Sequence, residues 1–144
     1  MKAYADTGFL VSLHSKDANT LRALARMKTQ AFPLAWTWLH DLEFRNAMRL
    51  RVFRGEVTDP DVALVFGKVK SRKEDGTYLP VGVSDAAAAE TERLSASFST
   101  RLGTRSLDIL HVAHALVLGI PEFLTFDKRQ AALAKAAGLT VPGL

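Results

Sequence analysis

Short apolar segments alternate with longer helical segments along this chain, and no other feature of the sequence constrains the fold as strongly. Strands separated by helices pair in parallel, because parallel neighbours need a crossover connection. The sequence therefore predicts an α/β fold with a short central parallel sheet between two layers of helices. The strand candidates are Lys2–Ala5, Pro33–Ala35, Phe123–Phe126 and Leu139–Val141.

The predicted helices begin near capping residues and end near glycines. Ser84 begins one of them as its cap, and Gly55, Gly103 and Gly138 each follow one. The segment 77–83 is assigned to neither a helix nor a strand. The helix candidates are Phe9–Leu13, Ala18–Thr29, Thr37–Arg54, a segment from Asp59 to just before Gly76, Ser84–Leu102, Leu107–Leu118 and Lys128–Ala137.

The composition excludes several classes of protein. None of the 144 residues is a cysteine, which excludes disulfides, thiol nucleophiles and cysteine-ligated zinc. The long apolar run Ile109–Ile120 contains two histidines and is shorter than a membrane span. The N-terminus does not have the basic and apolar segments of a signal peptide. We therefore expect one domain over residues 1–144, no membrane segment and a cytoplasmic location.

Two aspartates are predicted at the carboxyl ends of strands, where parallel sheets place their sites. Asp6 follows Lys2–Ala5, and Asp127 follows Phe123–Phe126. Each also precedes a predicted helix, so each fits an N-cap, whose carboxylate accepts hydrogen bonds from backbone N–H groups. The two interpretations are compatible, since a capping carboxylate can keep one oxygen for a metal.

Glu43 lies close to an apolar stripe of the helix predicted over Thr37–Arg54. A carboxylate that faces the core with this stripe needs a partner or a metal, because an unpaired buried charge is costly. His40, one turn earlier, fits a structural role or the support of Glu43, whereas Asp41 lies on the side away from the stripe. The stripe consists of Leu39, Leu42, Asn46, Leu50 and Phe53.

Asp108 lies in the first turn of Leu107–Leu118, a helix that is apolar on nearly every side and therefore central in the predicted fold. It fits either a cap or a site residue. His111, three residues on, shares its face and is placed to form a hydrogen bond with it. Neither His111 nor His114 has the spacing of a zinc pair, so both fit core or supporting positions.

The four carboxylates are expected to converge at one edge of the predicted sheet. Two carboxylates about 5 Å apart repel each other by roughly 3 kcal/mol at an effective dielectric constant near 20. Four such groups need protons, cationic partners or a hard divalent cation. Without cysteine or a histidine pair, Mg²⁺ or Mn²⁺ is favoured over zinc. The set consists of Asp6, Glu43, Asp108 and Asp127.

Four segments of the chain resemble the PIN-domain family, and most closely the VapC-type toxins of bacterial toxin–antitoxin pairs. Their order and spacing match that family over almost the whole chain, whereas residues 55–103 match only in helical character. The segments are Tyr4–Leu10, Leu42–Ala47, Ser106–Ala115 and Phe123–Gln130.

The resemblance implies a PIN-like three-layer α/β/α fold and an endoribonuclease that cleaves single-stranded or looped RNA with Mg²⁺ or Mn²⁺. It also implies that Thr7 and Thr125 match hydroxyl positions beside the site, although Thr7 equally fits a cap. By resemblance, the residues that bind the metal and carry catalysis are Asp6, Glu43, Asp108 and Asp127.

The resemblance further implies two protein partners: a VapB-type antitoxin that wraps toxin helices and can push a basic side chain into the acidic pocket, and a second copy of the chain in a homodimer. The apolar content of the first three predicted helices fits such contacts, although each of these residues also fits the core. The aromatic candidates are Phe32, Trp36, Trp38, Phe44 and Phe53.

The charge of the chain is compatible with a polyanionic substrate. Its 19 basic and 15 acidic residues give a net charge of +4. Without the four site carboxylates, 19 basic residues remain against 11 acidic ones, so the rest of the chain is more strongly positive. Each candidate for contacts with the RNA backbone also fits a solvated surface. These candidates are Arg45, Arg49, Arg51, Arg54, Lys68, Lys70, Arg72 and Lys73.

Two other interpretations of the sequence remain open. The chain also fits a catalytically inactive PIN-like domain that binds RNA or another protein, in which the acids are structural and need no metal. It also fits a phosphotransfer enzyme or a DNA nuclease built on a similar sheet. Divalent-metal binding separates the first of these from an active nuclease, and parallel assays on RNA and DNA separate the second.

Overall fold

The computed structural model describes residues 1–29, 33–82 and 84–143, and within them short strands alternate with helices as predicted. None of these helices is both long enough and apolar enough to cross a membrane. The strands are β1 (Ala3–Ala5), β2 (Leu34–Thr37), β3 (Tyr78–Val81) and β4 (Glu122–Leu124). The helices are α1 (Thr7–His14), α2 (Thr20–Thr29), α3 (Trp38–Phe53), α4 (Asp59–Glu74), α5 (Asp85–Leu102), α6 (Ser106–Val117) and α7 (Lys128–Ala136).

The strands separate two hydrophobic cores, because successive side chains of a strand point to opposite faces of a sheet. Leu34 and Trp36 of β2 pack into the core formed with α1–α4. Ala35, between them, packs into the core formed with α5–α7, together with Tyr4 of β1 and Phe123 of β4. This alternation produces the three-layer α/β/α fold that the sequence predicts.

The parallel pairing of the strands is also confirmed. β1 pairs with β4, with Ala5 opposite Leu124, and β2 pairs with β3, with Thr37 opposite Val81. The central layer thus consists of two parallel pairs, which contact each other through β1 and β2. β1 and β4 end at the same edge of this layer, and this common edge brings their following residues together.

Two strands differ from the sequence prediction. β3 lies in the segment that the sequence analysis assigns to neither a helix nor a strand; it contains Pro80, and only Tyr78 in it is fully buried. Its conformation is set by pairing with β2, a contact that is remote in sequence. Leu139–Val141, predicted as a strand, joins the described part of β4 only through one bridge at Thr140.

The buried face of α3 is not the stripe that the sequence predicts. The buried residues are Leu39, His40, Phe44 and Met48. Within the predicted stripe, Leu42, Leu50 and Phe53 are instead 56%, 43% and 87% exposed. The prediction that this stripe faces the core is therefore wrong. Helical periodicity fits two overlapping stripes here, and aromatic packing against β2 selects the one with Phe44, whose ring centroid lies 5.4 Å from that of Trp36.

The aromatic residues considered for partner contacts divide between core and surface. Trp36 and Phe44 are buried and belong to the core formed with α1–α4. Trp38 and Phe53 are exposed. Phe32 lies outside the described residues.

Replacing the two phenylalanines of α3 separately tests this assignment of its faces. We expect Phe44→Ala to lower the free energy of unfolding by about 3–5 kcal/mol, because it leaves a cavity in the core. The matched variant Phe53→Ala should change it by less than about 0.5 kcal/mol, because the side chain is solvated. Urea denaturation followed by circular dichroism measures both values. Equal losses in the two variants would contradict the assignment.

Candidate active site

Asp6 places a buried carboxylate directly after β1. It caps α1, since Oδ1 accepts a hydrogen bond from the backbone N–H of Phe9 at 2.6 Å, and Oδ2 accepts one from Thr125 Oγ1. Burial raises the pKa of Asp6 to about 6, although both hydrogen bonds lower it. The N-cap interpretation is therefore confirmed, and the carboxylate also reaches across to the segment that follows β4.

Glu43 is held by side chains from two other helices. Its Oε1 accepts hydrogen bonds from Thr7 Oγ1 at 2.9 Å and from His111 Nε2 at 2.5 Å. His111 Nδ1 lies 2.9 Å from the hydroxyl oxygen of Tyr4 and forms a hydrogen bond with it. Burial raises the pKa of Glu43, but the hydrogen bonds and charge of His111, with smaller contributions from Thr7 and Arg105, hold it below its ordinary value.

The structural role considered for His40 is confirmed, whereas His111 takes a different partner from the one expected. His111 contacts Glu43 and not Asp108, its neighbour on α6. His40 does not support Glu43 through a hydrogen bond: its Nδ1 accepts from the backbone N–H of Thr37 at 2.9 Å, and its Nε2 donates to the carbonyl of Ala5 at 2.8 Å. Burial and the charge of His111 hold the pKa of His40 well below its ordinary value. His40 is a neutral structural link between α3 and β1.

Arg105 joins the two remaining carboxylates, and the sequence analysis missed it. Its Nε donates to Asp108 Oδ2 at 2.7 Å, and its Nη2 donates to Asp127 Oδ2 at 3.3 Å. Asp108 does not cap α6, because the cap position is occupied by Arg105 itself. The available signal was the spacing of three residues between Arg105 and Asp108, which places both on one side of the helix start.

Asp127 caps α7, as predicted. Its Oδ1 accepts hydrogen bonds from the backbone N–H groups of Arg129 at 2.8 Å and Gln130 at 2.9 Å. Its own N–H donates to Thr125 Oγ1 at 2.9 Å, and the same hydroxyl donates to Asp6. Thr125 thus connects the segments that follow β1 and β4, while Asp127 Oδ2 faces Arg105.

A cleft of about 690 Å³ runs along this edge of the sheet and is lined by three of the four predicted acids, Asp6, Glu43 and Asp127. Asp108 lies beside it, and its charge contributes to the raised pKa of Asp6. Leu42, which precedes Glu43 on α3, is among the apolar residues that line the cleft. The cleft is therefore lined by carboxylates and by exposed apolar side chains.

The acids are close enough to interact electrostatically, since the charge of Asp108 affects the pKa of Asp6. Their carboxylates do not, however, surround one shared position. Across residues 1–29, 33–82 and 84–143, no group of three or more histidine, aspartate or glutamate side chains is arranged to hold a metal ion. Hydroxyl, imidazole and backbone donors hold Asp6 and Glu43, and a guanidinium group holds the other two. Each carboxylate has a partner within the protein.

Only two of the predicted RNA-contacting cations line the cleft. Arg51 forms a salt bridge with Asp17 at 2.9 Å, and Arg54 forms one with Glu56 at 2.6 Å. Both charges are therefore already paired. The candidates that do not line the cleft are Arg45, Arg49, Lys68, Lys70, Arg72 and Lys73.

Comparison with protein families gives one match. The family model described as the PIN domain matches residues 3–136, which is nearly the whole chain and includes all four acids. A search of curated proteins found no match.

Solved structures with the same fold include three proteins of low sequence identity. VapC20 of Mycobacterium tuberculosis, described as a sarcin–ricin loop cleaving toxin, has a TM-score of 0.73 and 14% identity, with 96% of each chain covered. FitAcB of Neisseria gonorrhoeae has a TM-score of 0.66 and 16% identity over 96% of this chain and 95% of that chain. A toxin–antitoxin complex of Klebsiella pneumoniae has a TM-score of 0.62 and 16% identity over 90% of each chain.

The raised pKa of Asp6 predicts the pH dependence of stability. Its pKa of about 6 in the folded protein exceeds the ordinary value of 3.8, so its contribution to stability is present below pH 4 and is lost as pH rises through 6. A pKa displacement of this size corresponds to about 3 kcal/mol. With a chelator present, we expect the free energy of unfolding of Asp6→Asn to exceed that of the wild type by an amount that grows between pH 4 and pH 7. The growth should reach at most about 3 kcal/mol.

Urea unfolding at pH 4 and at pH 7 measures this difference. Asparagine retains the capping function, so the substitution removes the ionisable group without removing the cap. Asp85→Asn, which replaces an exposed carboxylate in the first turn of α5, is the control and should show a difference that changes little with pH. A gain for Asp6→Asn that is no larger at pH 7 than at pH 4 would contradict the assignment.

Proposed function

This chain belongs to the PIN-domain family, and from that membership we propose that it is a metal-dependent endoribonuclease that acts as the toxin of a toxin–antitoxin pair. The observation that carries the proposal is the position of the four acids. Three line one cleft at the edge where β1 and β4 end, and the fourth is tied to that cleft through Arg105. In this proposal residues 1–144 act as one nuclease domain in the cytoplasm.

The chemistry of the donor set fits Mg²⁺ or Mn²⁺. Both ions prefer oxygen ligands, and the acids offer carboxylate oxygens without any cysteine. The residues that would hold the ion are Asp6, Glu43, Asp108 and Asp127. A bound divalent ion supplies Lewis-acid polarisation of a phosphate and a more acidic water.

The surrounding residues would keep these acids ready for that role. His111 and Thr7 fix the Glu43 carboxylate and keep it ionised, since their hydrogen bonds lower its pKa. Thr125 fixes Asp6 relative to the segment after β4. The Arg105 guanidinium occupies oxygens of the other two acids, so loading of an ion there would compete with those ion pairs. Attack by water would leave a 5′-phosphate and a 3′-hydroxyl on the RNA.

A second candidate function is a PIN-like domain that binds RNA without cleaving it. The absence of a metal-ready cluster in the described part of the chain favours this candidate, as do the ion pairs of Arg105. In such a protein the carboxylates are satisfied internally, and divalent ions should not change its melting temperature. Thermal melts with and without Mn²⁺ separate the two functions.

Removing one acid tests the nuclease proposal directly. We expect Asp108→Asn to lower the rate of RNA cleavage by about a thousandfold or more, which corresponds to roughly 4 kcal/mol of transition-state stabilisation. Glu74→Gln, an exposed change at the end of α4, is the matched control and should cleave at the wild-type rate. Both are assayed on single-stranded RNA with Mg²⁺ or Mn²⁺, with single-stranded DNA in parallel. Undiminished wild-type cleavage in excess chelator would rule out the metal mechanism.

The antitoxin proposal rests on the exposed side of α3 next to the acids. Leu42 and Leu50 line the cleft while remaining substantially exposed, so a protein that reached the acids with a basic side chain would also cover these leucines. The occupant we propose is a VapB-type antitoxin encoded by a neighbouring gene. A homodimer of this chain is part of the same proposal.

Co-expression with the adjacent gene product should yield a stable complex in which nuclease activity is suppressed. We expect Leu42→Ser to weaken that complex about tenfold or more, because it removes apolar contact area worth about 1.4 kcal/mol or more. Leu64→Ser on α4, which is similarly exposed but lies outside the cleft, should leave the affinity unchanged. Calorimetric titration gives the affinities, and light scattering gives the stoichiometry. Equal weakening by both variants would place the antitoxin elsewhere.

A further inference from the structure

A recess of about 380 Å³ adjoins the acidic cleft on the side of α7. It is lined by three cationic residues, Arg105, Lys128 and Arg129, together with Asp127. Asp127 also lines the cleft, so the two cavities meet at that carboxylate. All three cationic residues are exposed, and the position of Arg105 is set by its ion pairs with Asp108 and Asp127.

Two cations of this recess have no counter-ion among the residues that the structure describes. In the described part of the chain, no carboxylate forms a salt bridge with Lys128 or Arg129, and Arg129 Nη1 donates only to the carbonyl of Gly103 at 3.3 Å. The cations of the cleft itself, Arg51 and Arg54, are both paired with carboxylates. A charge without an internal partner remains available to an external anion.

We propose that this recess binds a backbone phosphate of the RNA substrate next to the phosphate that is cleaved. The proposal rests on the proposed function and deepens it, because it assigns a substrate-binding site to residues outside the acidic set. Four carboxylates at one edge repel a polyanion, so attraction must come from nearby positive charge. The recess places that charge directly beside the acids.

Two features make a phosphate the fitting ligand. Guanidinium groups hold phosphate oxygens through paired N–H donors, and Arg129 presents such a group in the recess together with the Lys128 ammonium. The recess also lies at the N-terminal end of α7, whose dipole favours an anion there. The Asp127 carboxylate opposes an anion, but its charge is shared with Arg105 and with backbone donors.

The test compares two double variants that remove the same charge. Lys128→Ala/Arg129→Ala removes the unpaired cations of the recess. Lys28→Ala/Lys135→Ala removes two exposed cations that do not line the recess or the cleft. Both are made in an Asp6→Asn background, so that the RNA probe, a single-stranded oligonucleotide, stays intact. Fluorescence anisotropy gives the binding constant over a range of salt concentrations.

The salt dependence gives the decisive number. Each phosphate contact on a single strand contributes about 0.7 to the slope of log K against log salt concentration. Because the recess is proposed to hold one phosphate, we expect the recess variant to reduce this slope by about 0.7 and the control variant to leave it unchanged. Urea denaturation checks that both variants fold, and Lys128→Gln/Arg129→Gln should reproduce the reduction if charge, and not side-chain size, is responsible. An unchanged slope in the recess variant, or equal reductions in both, would overturn the proposal.

The proposal for the recess and the proposal of nuclease activity can be contradicted separately. If RNA binding depends on the recess while the otherwise wild-type chain cleaves no RNA with Mg²⁺ or Mn²⁺, the recess stands and the proposed function fails. If the chain cleaves RNA and Lys128→Ala/Arg129→Ala leaves KM unchanged, the recess fails and the proposed function stands. A raised KM with an unchanged kcat supports both.

Discussion

Repulsion among carboxylates at one edge of the sheet is the constraint on which the rest of this site depends. Each acid is offset by a different kind of partner. Asp6 takes backbone and hydroxyl donors, Glu43 takes a hydroxyl and an imidazole, and Asp108 and Asp127 share one guanidinium group. These partners come from α1, from α6 with the residue before it, and from the segment after β4, so the charge balance also ties both helical layers to the central strands.

The different surroundings of Asp6 and Glu43 give these two carboxylates different proton affinities. Asp6 has a raised pKa because burial outweighs its two hydrogen bonds, whereas Glu43 has a lowered pKa because its donors outweigh a lesser burial. A pocket that keeps one carboxylate easily protonated and another ionised can exist without a metal. The same pocket exposes hard oxygen ligands once protons and Arg105 are displaced, which is what the proposed nuclease requires.

The fold of this chain is shared with proteins of very different sequence. VapC20 shares the fold of this chain at 14% identity, so the layered arrangement of strands and helices tolerates change at most positions. A fold of this kind hosts more than one activity, and function has to be argued from the site. In this chain that argument also has to include Arg105, which links two acids, and the cationic recess that adjoins them.

The sequence by itself determined the features that depend on contacts between near neighbours. Helix caps such as Asp6, Ser84 and Asp127 could be predicted because a cap bonds to the backbone only two or three residues away. The alternation of strand and helix likewise follows local periodicity, and it predicted the parallel strands and the layers of helices that cover them.

Tertiary structure alone decided the pairings between distant residues. β3 became a strand through β2, the exposed stripe of α3 was settled by the packing of Phe44 on Trp36, and Glu43 obtained its proton donor from His111, which lies 68 residues further along the chain. Arg105 is close to Asp108 in sequence, but its second carboxylate, Asp127, is 22 residues away. Local pattern fixes which face of a helix is apolar, whereas only the packed chain determines which groups meet across it.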